Sequence, residues 1–155
     1  AFGRSLAAGD FNRDGKMDLA VGSSSGITIL HGGDIGLRHS GVAFGHGSYA
    51  LEVGDFNGDG TDDLAAGNPF ADGEKGTVTI FHGTANVGLT GASQTWSQDS
   101  PGILGGAEGA PDRRFNSKDE WGDRFGFSLA AGDFDGDGRD DLAIGTPGER
   151  FRMGG

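Results

Sequence analysis

SLAAGDFDGDGRDDLAIG, the stretch at residues 128–145, occurs in two further versions along the chain. They read SLAAGDFNRDGKMDLAVG at residues 5–22 and ALEVGDFNGDGTDDLAAG at residues 50–67. Each version has a short apolar segment before Gly-Asp-Phe, then an acidic loop, and then a second apolar segment. This order predicts a strand, a loop and a strand. Its repetition is typical of architectures that stack copies of one unit.

Further strands are predicted after the acidic loops. A third strand is expected at residues 27–30 and 77–81, and a weaker fourth near residues 42–44 and 95–97. Four short antiparallel strands per unit make the blade of a β-propeller, so we predict an all-β fold, a partial β-propeller of about two and a half blades. The predicted divisions are repeat 1 at residues 1–46, repeat 2 at 47–99, an insertion loop at 100–121 and an incomplete repeat 3 at 122–155.

The composition indicates a chain of strands and loops with a thin core. Of 155 residues, 33 are glycine and only 34% are hydrophobic, which disfavours long helices. The formal net charge of -11 argues against binding to nucleic acid or to an anionic membrane surface. No apolar run approaches the roughly 20 residues of a membrane span, so membrane insertion is not expected. Because the chain has no cysteine, a bound metal is one remaining way to stiffen its glycine-rich loops.

The acidic loops have the general form DxNxDGxxD, or DxDxDGxxD in the third copy, and place side-chain oxygens at loop positions 1, 3, 5 and 9. Oxygen-only ligation with no Cys or His favours calcium, and we predict three calcium sites, one per loop, lying between strands. The predicted side-chain ligands are Asp10, Asn12, Asp14 and Asp18; Asp55, Asn57, Asp59 and Asp63; and Asp133, Asp135, Asp137 and Asp141. The residues at position 7, which would contribute only backbone carbonyl oxygens, are Lys16, Thr61 and Arg139.

Two details of the loops separate them from an EF-hand. Glycine at position 6 permits the positive φ with which the chain reverses around an ion. An EF-hand needs a bidentate Glu at position 12, whereas the residues found there are Val21, Ala66 and Ile144. The loops are therefore expected to close at position 9. Metal-free turns remain the plainer interpretation of any single copy, since Asp, Asn and Gly favour turns. The extra carboxylates at position 8, Asp62 and Asp140, are interpreted as solvated neighbours.

Catalytic interpretations are weaker. Residues 22–26 formally fit the GxSxG nucleophile elbow, but a strand is predicted after them where the elbow needs a helix. His31 and His82 stand at equivalent strand ends in two repeats, which favours a shared packing or turn role over catalysis. The basic and aromatic residues within the insertion are typical either of a partner contact or of a solvated excursion. We do not expect an enzyme.

The repeats resemble FG-GAP repeats, the units of the integrin α-subunit β-propeller, and are most similar to those of secreted actinobacterial proteins. Phe-Gly at residues 2–3 and 125–126 stands eight residues before the first aspartate of a loop, as the family's FG does. Residues 67–69 and 145–147 occupy the GAP place. Repeat 2 departs from the pattern, with Gly-Ser at residues 47–48, and repeat 1 lacks the proline of GAP. These departures leave the loops intact and concern blade packing.

This resemblance implies a propeller of usually seven blades with calcium in loops at one face. It implies a calcium-binding structural or interaction module, part of an extracellular, secreted integrin-like propeller that binds an unknown protein or carbohydrate ligand. The alternative is a non-catalytic propeller segment attached to a secreted hydrolase whose catalytic domain lies outside this chain. Since roughly four to eight blades close a propeller, the remaining blades are expected from a longer chain or from homo-oligomerisation.

Overall fold

The computed structural model describes residues 2–45, 47–103 and 122–148, apart from the side chain of Ser93. Among these residues the strands form three antiparallel sheets, one for each repeat. The first sheet contains β1 (Phe2–Gly9), β2 (Asp18–Ser23), β3 (Ile27–His31) and β4 (Arg38–Phe44). The second contains β5 (Ala50–Gly54), β6 (Asp63–Asn68), β7 (Thr77–Phe81) and β8 (Ala92–Trp96), and the third pairs β9 (Ser128–Gly132) with β10 (Asp141–Gly145). The all-β prediction and its partial propeller blades are confirmed.

Each acidic loop is the turn of a β-hairpin. In the first sheet Gly9 is paired with Asp18, so the residue before loop position 1 lies opposite loop position 9. The second and third sheets repeat this register at Gly54 and Asp63 and at residues 132 and 141. The remaining strands follow in chain order, which gives the up-and-down order of a propeller blade in both four-stranded sheets.

The three sheets stack face to face. The first strand of each sheet contacts the first strand of the next, β1 against β5 and β5 against β9. The middle sheet is therefore covered on both sides: Leu64 and Ala66 of β6 pack towards repeat 1, while Ala65 packs towards repeat 3. A chain with few hydrophobic residues thus obtains its core between the sheets.

The burial of the phenylalanine at loop position 2 depends on the repeat that follows it. Phe11 is fully buried against repeat 2, and Phe56 is partly buried against repeat 3. Phe134, the equivalent residue of the third loop, is 65% exposed. The same motif therefore has a buried or an exposed aromatic ring according to whether a following sheet covers it.

Some details differ from the sequence prediction or extend it. Strand β1 begins at Phe2 and β4 at Arg38, earlier than their apolar segments indicate. A single turn, α1 (Ala71–Glu74), lies between β6 and β7 and contains left-handed residues at positions 72 and 73. Most of the predicted insertion at 100–121 lies outside the described residues, as do residues 149–155 of repeat 3. Within the described part of the chain, no helix has the length and apolar character needed to cross a membrane.

The departure from Phe-Gly in repeat 2 has a steric reason. Phe125 is buried between repeats 2 and 3, whereas Phe2 is 73% exposed. At the equivalent place in repeat 2, a Cβ on Gly47 would lie 2.6 Å from the carbonyl oxygen of Ser24. A phenylalanine side chain therefore cannot stand there without moving the turn between β2 and β3.

We expect Phe11→Ala to lower the free energy of unfolding by about 3–5 kcal/mol, the usual result for a buried Phe truncated to Ala. The matched control is Phe134→Ala, which removes the same ring from a largely exposed site and should change stability by no more than about 0.5 kcal/mol. Urea unfolding of both variants measures the difference. Equal losses would contradict the stacking of repeat 2 on the first loop.

Candidate metal centre

The carboxylate at loop position 1 organises all three acidic loops. In the first loop Asp10 Oδ1 accepts a hydrogen bond from Asp14 N at 2.9 Å, and Oδ2 accepts one from Gly15 N at 2.8 Å. Asp55 and Asp133 accept the same pair of amides in their own loops, at N···O distances of 2.7–3.1 Å. Three sequences that vary at positions 3, 4 and 7 therefore adopt one loop conformation.

The side chains at positions 3 and 5 extend this arrangement. Asn12 Oδ1 accepts from Asp14 N at 3.0 Å, and Asp14 Oδ1 accepts from Lys16 N at 2.9 Å. The second and third loops contain the same two bonds. A carboxylate oxygen that accepts one hydrogen bond still has a lone pair for a cation. The loop thus gathers the oxygens of positions 1 and 3 around the amide of position 5, while the carboxylate of position 5 accepts the amide of position 7.

The glycine at position 6 is required by the backbone. Gly15, Gly60 and Gly138 have φ of 82°, 80° and 89°, a region that L side chains rarely adopt. No heavy atom lies within 4 Å of where a Cβ on Gly15 would stand, so backbone conformation and not space demands glycine there.

Position 9 closes the loop differently in different repeats. In the third loop Asp141 lies with Asp133 and Asp135, each with a carboxylate oxygen within 4.8 Å of the others, and all three residues are exposed. Asp137 is not a member of this group. In the first two loops Asp18 and Asp63 are buried, and each accepts a hydrogen bond at 2.8 Å from a glycine amide that follows the third strand.

The two equivalent histidines contact these buried aspartates. His82 Nδ1 lies 2.9 Å from Asp63 Oδ2, and His31 Nδ1 lies 3.3 Å from Asp18 Oδ1. The two histidines therefore share one contact, with the aspartate at position 9 of their own repeat. Asp18 Oδ2, also buried, has no hydrogen-bond partner among the described residues. A buried carboxylate oxygen without a partner is costly unless something fills the place beside it.

Burial raises the pKa of both Asp18 and Asp63, because desolvation penalises the charged carboxylate more than the hydrogen bonds from the glycine amide and the histidine favour it. At position 5 of the second loop slight desolvation is outweighed by hydrogen bonds from Asn57 and Thr61, which lower the pKa of Asp59. The oxygen-only donor set and the orphaned oxygen of Asp18 fit a hard divalent cation of the calcium type.

Asp62 and Asp140, at position 8, contact the preceding repeat. Asp62 Oδ2 accepts a hydrogen bond from Asp10 N at 2.7 Å, and Asp140 Oδ2 accepts one from Asp55 N at 2.9 Å. The interpretation of these two as solvated neighbours is wrong. The signal in the sequence is that repeats 2 and 3 both have Asp at position 8, whereas repeat 1 has Met17.

The other residues named from the sequence are placed as follows. The amides of Lys16, Thr61 and Arg139 donate to position 5, and the role of their carbonyl oxygens as ligands stays a prediction. Residues 22–26 comprise the end of β2 and the turn that leads into β3, so a strand and not a helix follows the serines. Ser23 Oγ accepts the amides of Ser25 and Gly26 in that turn.

Comparison with known proteins identifies the repeats. A family model described as FG-GAP repeat matches residues 2–36, 48–81 and 125–155. The matched segments make up more than half of the chain and contain all three acidic loops. No curated protein sequence matches this chain.

We expect Asp18→Asn to stabilise the protein in the presence of a chelator at neutral pH, by about 1 kcal/mol, because it removes a buried charge with an unsatisfied oxygen. The raised native pKa means that protonation favours the folded state: this stability is complete below the unfolded pKa near 3.8 and is lost as pH rises through the native pKa. The stability advantage of Asp18→Asn over the unmodified chain should therefore appear as pH rises from the unfolded pKa through the native pKa. Below the unfolded pKa the advantage should vanish.

Calorimetric melts of both proteins in chelator, from about pH 3.5 to about pH 7, measure this dependence. An Asp18→Asn variant that is less stable than the unmodified chain at neutral pH would contradict the assignment of a buried, unsatisfied carboxylate.

Proposed function

Because the chain belongs to the FG-GAP repeat family, we propose that it is a calcium-binding interaction module, part of an extracellular integrin-like β-propeller. FG-GAP repeats form a propeller-type structural module that is generally non-catalytic. The observation that carries the calcium proposal is the buried, unpartnered Oδ2 of Asp18 at the closing position of a loop whose other candidate ligands, Asp10, Asn12 and Asp14, ligate through oxygen.

Calcium would be held in each loop by the side chains at positions 1, 3, 5 and 9 and by the backbone carbonyl of position 7. Its charge would offset the repulsion among three or four carboxylates that the loop conformation brings near one another. It would also supply a partner for the buried Oδ2 of Asp18, which has none among the described residues. The basic side chains of Lys16 and Arg139 support a backbone role for position 7, since neither can ligate a cation.

An extracellular, secreted location is consistent with this role. Millimolar calcium outside cells fills loops of modest affinity, and FG-GAP repeats are typical of extracellular or secreted proteins. The partner that we propose is a protein or a carbohydrate, and the net charge of -11 makes nucleic acid an unsuitable partner. The alternative, a propeller segment attached to a secreted hydrolase, uses the same repeats and the same calcium loops.

We expect calcium to raise the melting temperature, because an ion that binds only the folded state stabilises it by about 2.7 kcal/mol at a hundredfold excess over Kd. Asp14→Ala should remove the part of this calcium-dependent stabilisation that the first loop provides. The matched control is Asp34→Ala, which removes the same charge from an exposed ion pair with Lys16 outside the loop oxygens. Identical melts with calcium and with chelator would refute the calcium proposal.

We further propose that other blades cover the outer faces of repeats 1 and 3, supplied by a longer chain or by further copies of this one. On these repeats the side chains of Phe2, Leu6 and Phe134 are largely exposed and that of Phe127 is about half exposed. Open sheet faces and edges invite association.

Multi-angle light scattering in calcium tests this part of the proposal. Residues 1–155 alone should self-associate, either into a discrete ring or into larger species. A well-folded and fully dispersed monomer would contradict both versions.

A further inference from the structure

The two junctions between repeats share one polar contact at the calcium loops. At each junction the position-8 carboxylate of the following repeat accepts the backbone amide of position 1 in the preceding repeat. Asp140 N also donates to Asp55 O at 3.1 Å, so at the second junction both the amide and the carbonyl of Asp55 are bonded to Asp140. A contact that recurs at two independent junctions is a property of the repeat and not of one loop.

The residue held in this way is the one that organises its loop. While the Asp10 amide donates to Asp62, the Asp10 side chain accepts the amides of Asp14 and Gly15. Likewise, the Asp55 amide donates to Asp140, and the Asp55 side chain accepts the amides at positions 5 and 6 of its own loop. A shift of the position-1 backbone would therefore move the carboxylate on which every other loop oxygen is arranged.

The glycine before position 1 makes room for the incoming carboxylate. A Cβ on Gly9 would stand 3.0 Å from Asp62 Oδ2, and a Cβ on Gly54 would stand 2.9 Å from Asp140 Oδ2. Both distances are too short for an undisturbed contact. The Gly-Asp pair that opens each of the first two loops is thus explained in part by the repeat that follows.

Additional bonds fix the first loop from the same side. Thr84 N donates to Phe11 O at 3.2 Å and Asn86 N donates to Asn12 O at 2.6 Å, both from the connection that follows β7 in repeat 2. Arg13 reaches in the opposite direction and donates to Asp59 O at 3.2 Å. Successive loops are therefore joined directly and not only through the apolar core.

We propose that Asp62 and Asp140 are positioning residues for the calcium loop of the preceding repeat, so that the affinity of one loop depends on a carboxylate supplied by the next. The proposal rests on the proposed calcium binding. It deepens that function by making the loops a coupled series, in which Asp62 governs the first site and Asp140 the second. Neither residue governs the loop in which it stands.

Nuclear magnetic resonance can assign the effect to a loop. The amides of Gly15, Gly60 and Gly138 each donate to the position-1 carboxylate of their own loop, and their signals report the three sites separately during a calcium titration. We expect Asp62→Ala to weaken the first site about tenfold, the effect of losing part of a charge-assisted hydrogen bond. Asp140→Ala should weaken the second site to a similar extent, and the third site should respond to neither.

Two further variants serve as controls. Asp62→Asn keeps the size of the side chain and an acceptor oxygen but not the charge, so it should restore part of the affinity relative to Asp62→Ala, whereas a role through side-chain bulk alone predicts full restoration. Met17→Ala changes position 8 of the first repeat, whose side chain contacts no preceding loop among the described residues, and should leave all three sites unchanged. Amide hydrogen exchange in chelator gives a readout without calcium: Asp10 should exchange faster in Asp62→Ala, and Asp55 in Asp140→Ala.

The outcomes separate the two proposals. If the unmodified chain binds no calcium, the proposed function fails and the coupling fails with it. If the unmodified chain binds calcium normally but Asp62→Ala leaves the first site unchanged, or weakens only its own loop, the coupling alone is overturned.

Discussion

The carboxylate at loop position 1 is the interaction on which the rest of the structure depends. By accepting the amides of positions 5 and 6, Asp10, Asp55 and Asp133 each close a loop of fixed length. The loop length in turn sets the register of the hairpin, with the glycine before the loop opposite the aspartate that ends it. Because a slip by one residue would exchange the two faces of a strand, this register decides which residues meet the neighbouring sheet.

The carboxylates at loop position 9 would destabilise the folded protein if their charges were not balanced. Asp18 and Asp63, at this position, are buried, and desolvation raises the pKa of both carboxyl groups. Histidines and glycine amides balance part of this cost, but Asp18 Oδ2 has no partner among the described residues. A divalent cation beside this oxygen would supply the missing partner. Face-to-face packing of the sheets supplies the rest of the stability, as the burial of Phe11 beneath repeat 2 illustrates.

Much of the fold and of the loop could be predicted from the sequence because the residues that determine them lie within one repeat. Apolar segments on either side of DxNxDG specify two strands and a turn, and glycine at position 6 specifies a positive φ, which Gly15, Gly60 and Gly138 all have. What the sequence did not disclose lies between repeats. Spacing along the chain does not say that the carboxylate of Asp62 meets the amide of Asp10, or that a side chain at Gly47 would collide with Ser24. Those facts depend on how one sheet is placed against the next.

Counting the bound calcium ions is the most direct test of the three proposed sites. Equilibrium dialysis of the full chain against radioactive calcium, with a chelated sample as background, measures the number of ions that each chain holds. We expect three ions per chain, one for each acidic loop. Binding that does not exceed the chelated background would contradict this expectation.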